Sequence, residues 1–152
     1  MQEAVRLSPN FTEAHYQLGL ALLQSVDSSA KAESVFRRVL QLNPNHALAH
    51  LQLGLLFSAQ ADRAEAAAEF ENAARLAPGL VEAHRGLGRL AAGSRDWETA
   101  VREFQAVVAW NPEDAAAHYD LAASLQASGQ VEQAAHELEI AQKLDPKLTA
   151  PR

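Results

Sequence analysis

The chain has 152 residues, a formal net charge of −6, a hydrophobic share of 48 %, an aromatic share of 6 % and no cysteine. An acidic balance excludes the basic footprint that a nucleic-acid binder needs, and the missing thiols exclude disulfides, Cys-based zinc sites and thiol nucleophiles. No apolar run approaches the roughly 20 residues that span a bilayer, and MQEAVRLSPN lacks the continuous apolar stretch of a signal peptide, so the compartment is left open.

Prolines set the beat of the chain: Pro9, Pro44, Pro78, Pro112 and Pro146 stand 35, 34, 34 and 34 residues apart. Proline cannot continue a helix and pushes the residue before it out of the α region, so each is expected to be a helix stop. Residues 1–11, ending on RLSP, are expected to be the last part of a truncated repeat. Apolar residues at helical spacing then predict two helices per unit. Over 12–45 these are Thr12–Ser25 and Ser29–Leu42, with one extra residue in the turn SVDSS. Over 46–79 they are His46–Ala59 and Arg63–Leu76. Over 80–113 they are Leu80–Gly93 and Trp97–Trp110, broken at Gly93-Ser94. Over 114–147 they are Asp114–Ala127 and Val131–Leu144, broken at Ser128-Gly129. Residues 148–152 form a tail, and no strand is expected.

The units share more than their length. Leu18-Gly19, Leu53-Gly54 and Leu87-Gly88 recur, degenerating to Leu121-Ala122. Ala32/Phe36, Ala66/Phe70 and Ala100/Phe104 follow, with Ala134/Leu138 last, and each unit closes on its proline. This pattern resembles the tetratricopeptide repeat, whose 34-residue unit reads W-x2-L-G-x2-Y, then A-x3-F, then P. The resemblance implies an all-α fold, a right-handed solenoid of antiparallel helix hairpins. The glycine is expected where the two helices of a hairpin cross closely, and the phenylalanine is expected to fill the gap against the next repeat. The first helices would line a concave groove for a bound peptide. Carried over position by position, that groove is Tyr16 and Leu20, Leu51 and Leu55, Arg85 and Arg89, Tyr119 and Ala123. The Lys and Asn that clamp a C-terminal carboxylate in chaperone-binding relatives are replaced by Tyr16 and Leu20, so no such clamp is expected.

Where the family opens on Trp, this chain carries His15, His50, His84 and His118. First helices of successive repeats lie about 10 Å apart, whereas a shared metal needs ligand nitrogens near 2.1 Å from the ion. The histidines are therefore expected to pack or cap, and no metal, cofactor or catalytic residue is expected. Carboxylate pairs such as Glu69/Glu71 and Glu137/Glu139 read as a solvated face, and Trp97 and Trp110 as core. No phosphate-binding or nucleophile motif occurs. Arg85 and Arg89, one turn apart, would face a carboxylate-bearing ligand or else balance nearby acids such as Glu82.

The function that follows is a non-catalytic scaffold for a protein or peptide ligand, with no nucleic acid and no membrane insertion. The alternatives are end-to-end self-association through uncovered terminal helices, further repeats outside this segment, or an accessory domain of a larger enzyme.

Overall fold

The structure, a computed structural model, describes residues 9–24 and 28–148. The expected helix remnant over residues 1–8, the core of the SVDSS turn (25–27) and the tail from residue 149 lie outside the described residues. Within them are eight α-helices and no strand: α1 Pro9–Leu23, α2 Ser29–Leu42, α3 Ala47–Ala59, α4 Arg63–Leu76, α5 Val81–Gly93, α6 Trp97–Trp110, α7 Ala115–Ala127 and α8 Val131–Leu144. Contacts divide the chain into two units, up to Pro78 and from Gly79. In the first, α1 packs on α2, α2 on α3 and α3 on α4. In the second, α5 packs on α6, α6 on α7 and α7 on α8.

Helical periodicity explains which faces are buried. On α2 the buried residues are Ala32, Phe36 and Val39, and on α4 they are Ala66, Phe70 and Ala73, each set spaced i, i+4, i+7. That is one stripe facing one neighbouring layer. In contrast, α3 buries residues on several sides, from Ala49 and His50 to Leu56 and Phe57, because it lies between α2 and α4. In the second unit Val101, Phe104, Leu121 and Leu125 form the equivalent core, with Ala91, Ala92 and Val108 at its edge.

The glycine beat has a direct cause. A Cβ built on Gly19 would lie 2.6 Å from Phe36, on Gly54 2.6 Å from Phe70, and on Gly88 2.9 Å from Phe104. Ordinary carbon contacts are about 3.5–4.0 Å, so each ring occupies the space that a side chain on its own hairpin would need. The ring also packs onward as expected, since Phe104 shares one buried core with Leu121 and Leu125 of the next repeat. The last repeat has Ala122 and Leu138 at the matching positions, a larger residue in place of the glycine and a smaller one in place of the ring, and the two line one shallow pocket.

Pro9 opens α1; its missing N–H lies where a helix has no partner for one anyway. One expected break shifts. Gly93 stays helical, and the break falls two residues later on Arg95, at φ 61°. Ala61 at φ 62° and Gly129 at φ 84° take the same left-handed position. The next amide then bonds back across the helix end: Asp62 N to Phe57 O, Asp96 N to Ala91 O and Gln130 N to Leu125 O, all 2.9 Å. That six-to-one bond closes the helix whichever residue supplies the left-handed turn. Helix starts are capped by side chains at His46, Asp96 and Asp114, which accept from Ala49, Thr99 and Ala117 N at 3.1, 3.2 and 3.0 Å.

Candidate functional site

The histidines are half of a repeated contact whose other half is a glutamate nineteen residues on. His50 Nδ1 meets Glu69 Oε2 at 2.5 Å, while its Nε2 donates to the carbonyl oxygen of Pro44 at 3.0 Å. His118 repeats this with Glu137 at 2.6 Å and the Pro112 oxygen at 3.0 Å. His84 meets Glu103 at 2.8 Å. A carbonyl oxygen only accepts, which fixes Nε2 as a donor in the first two. Each of those rings ties the preceding turn and the second helix to the first helix. Glu69 and Glu137 are therefore partly buried partners rather than members of a solvated face, which corrects the reading of those pairs; Glu71 and Glu139 are exposed. The signal was the Glu-Phe step of Glu69-Phe70 and Glu103-Phe104, absent from the first repeat, where Val35 precedes Phe36. Accordingly, His15 Nδ1 meets the Phe11 carbonyl at 2.8 Å instead. Among the described residues, no group of three or more His, Cys, Asp or Glu is placed to hold a metal.

The expected groove residues fall into different environments. Tyr16 is only 7 % exposed, its ring 5.8 Å from Phe36 and 4.8 Å from His46, and burial raises its hydroxyl above the ordinary 10.0. Leu51 is 5 % exposed. Both are core side chains, because α1 and α3 turn those positions onto neighbouring helices; they offer little surface to a ligand. Leu20 is half-buried, and Leu55 is 46 % exposed. In the second unit Arg85, Tyr119 and Ala123 are half-buried and Arg89 is exposed.

The two arginines meet Asp114, the residue that caps α7, and Asp120 on α7, rather than Glu82. Arg85 Nη2 donates to Asp114 Oδ2, and the other oxygen of Asp114 caps α7. Burial opposes ionisation of Asp114, yet the bonds from Arg85 and from the Ala117 and Ala116 amides hold its carboxyl below the ordinary 3.8. Arg89 comes only within 3.8 Å of Asp120, too far for a hydrogen bond. Asp120 Oδ2 is buried and has no hydrogen-bond partner among the described residues. Burial accordingly pushes the Asp120 carboxyl above 3.8, against the opposing pull of Arg89 and Arg85. A pocket of about 300 Å³ opens here, lined by Arg89, Ala92, Trp97, Phe104, Asp120, Ala123, Ser124 and Ala127. Trp97 is thus a half-buried pocket wall. Trp110, expected in the core, is 61 % exposed and lies over Gly79, an ideal Cβ there falling 3.5 Å from the ring.

Family models of the tetratricopeptide repeat match residues 27–81 and 91–151, together well over half of the chain. The chain belongs to the tetratricopeptide repeat family. Solved structures agree on the fold of this tetratricopeptide repeat protein. "MamA 41-end from Desulfovibrio magneticus RS-1" is 22 % identical, with a TM-score of 0.80 over 90 % of this chain and 77 % of that one. A second MamA crystal structure gives 16 % identity and a TM-score of 0.81 over 96 % and 85 %. PilF of Pseudomonas aeruginosa gives 21 % and 0.74 over 90 % and 62 %. At these identities the likeness is one of fold. Among curated sequences none matches the chain. As in other tetratricopeptide proteins, the general role is protein–protein interaction. None of the described helices is long and apolar enough to cross a membrane.

Proposed function

We propose that the chain is a non-catalytic scaffold that holds a peptide or protein segment against the faces of its first helices. In the first unit that surface comprises Leu20 and Leu55; in the second it comprises Arg85, Arg89, Tyr119 and Ala123. The observation that carries the reading is the Asp120 carboxylate, half-buried beside an arginine that does not reach it, at the edge of an open pocket. A charge kept at such a cost to the free protein suits a group that a ligand completes. Arg85, by contrast, is occupied by Asp114 and acts mainly in positioning α7 on α5.

The test starts from peptides selected out of a random library for binding to the chain. Their affinities are then measured for Arg89→Ala and Leu55→Ala, with Arg75→Ala on the exposed side of α4 as control. We expect each of the first two to weaken binding, Arg89→Ala by about tenfold or more if it bonds a ligand acceptor, and the control to leave it unchanged. Equal effects at all three positions would overturn the assignment.

A second reading, self-association, is favoured by α8. Val131 is 65 % exposed, and with Ala134, Ala135 and Leu138 it borders an apolar pocket of about 170 Å³. Sedimentation across a concentration series separates the two: a groove binder keeps one mass, whereas stacking gives a mass that grows and that Val131→Lys suppresses.

A further inference from the structure

The pocket between α5 and α7 has a chemistry of its own. Its polar lining is one guanidinium, Arg89, one carboxylate, Asp120, and the hydroxyl of Ser124. That hydroxyl already donates to the Asp120 carbonyl oxygen at 2.8 Å. The two charges are 3.8 Å apart, so neither fully satisfies the other. The remaining walls are Ala92, Ala123, Ala127, Trp97 and Phe104, and the three alanines leave the space open.

The sum of the two charges decides what fits. A cation brought to Asp120 would stand against the Arg89 guanidinium, and an anion brought to Arg89 would stand against the Asp120 carboxylate. A neutral group with a donor and an acceptor side by side meets both without either repulsion. Among amino-acid side chains, the primary carboxamide has that pair. Resting on the groove reading above, we propose that the pocket receives the carboxamide of a glutamine or asparagine on the bound segment. Its NH2 donates to Asp120, its carbonyl oxygen accepts from Arg89, and its methylene stem lies along the alanines and Trp97.

The probes are N-acetyl-glutamine methylamide and the matching glutamate and lysine derivatives. They are titrated into the whole chain while the Trp97 indole N–H and the Arg89 Nε–H are followed by nitrogen-15 correlation spectra. We expect a saturable shift with the glutamine probe, and about tenfold higher concentrations for the other two. Ala127→Leu, at an exposed position that fills the pocket without entering the core, is expected to abolish the shift, and Asp120→Ala to weaken it. Saturation by the glutamate or lysine probe at an equal or lower concentration would overturn the proposal, as would a glutamine shift that survives Ala127→Leu or the absence of any shift. If the library peptides still depend on Arg89 and Leu55 when the glutamine probe fails, only the carboxamide assignment falls. If they depend on neither, the groove reading falls with it.

Discussion

Replacing Gly54 by alanine tests the close crossing that sets the repeat. The new Cβ would lie 2.6 Å from Phe70 Cδ1 and 2.7 Å from Cε1, about 1 Å inside an ordinary carbon contact. Phe70 is 1 % exposed, so its ring has no free space to enter. Overpacking of this kind costs about 1–3 kcal/mol. Alanine also returns about 1 kcal/mol of helix propensity over glycine, so Gly54→Ala alone is expected to range from neutral to about 2 kcal/mol destabilising. Phe70→Leu alone removes ring atoms and opens a void against the glycine, which is destabilising too. The double variant copies what the last repeat already has, Ala122 opposite Leu138. In a double-mutant cycle the propensity gain cancels, leaving the packing conflict, and a coupling of at least about 1 kcal/mol is expected. Gly54→Ala should then change sign, stabilising the chain in the Phe70→Leu background. Urea unfolding followed by helical circular dichroism reads all four corners. Equal effects of Gly54→Ala in both backgrounds, within about 0.5 kcal/mol, would refute the crossing as the reason for glycine.

Four further outcomes follow from the contacts and backbone already described. Asp120 has a raised folded value, so its ionised form weakens folding at pH above 3.8 and the penalty disappears below it; Asp120→Asn is expected to raise the urea midpoint at pH 7 and to lose that advantage near pH 3.5. Asp114 has a lowered folded value, so its contribution is present above 3.8 and is lost as pH falls through the folded value; Asp114→Ala is expected to cost about 1–2 kcal/mol at pH 7 from the helix cap alone, and much less in acid. Glu69→Ala removes the partner of a largely buried His50 and is expected to cost about 1–3 kcal/mol, read as a lower melting temperature. Ala61→Gly and Arg95→Gly relieve left-handed backbone at non-glycine residues and are each expected to stabilise by about 0.5–1 kcal/mol.

The helices were legible because their determinants are local. Four of the eight match the sequence expectation at both ends, from Ser29–Leu42 to Val131–Leu144, since proline, apolar spacing and turn residues act within a few positions. His46, Leu80 and Asp114, which the spacing predicts as helical, precede their helices by one residue, a small difference typical of helix starts. What the sequence concealed were partners far apart in the chain. Glu69 reads like any surface acid until its helix brings it to His50, and nothing local marks Asp114, one repeat further on, as the acid that meets Arg85. Exposure was equally hidden: Tyr16 and Leu51 occupy positions that face ligands in the family pattern, but packing in the first unit buries them. Trp110 shows the reverse, since a residue at a position otherwise held by leucine lies largely in solvent.

Whether ligands meet the first helices is read by nitrogen-15 shift mapping of a library-selected peptide on the whole chain. We expect perturbed resonances to concentrate on α5 and α7 around Arg89, Asp120 and Ala123, and in the first unit around Leu20 and Leu55. Perturbations confined to α8 around Val131, Ala135 and Leu138, with the α5 and α7 resonances unmoved, would contradict it.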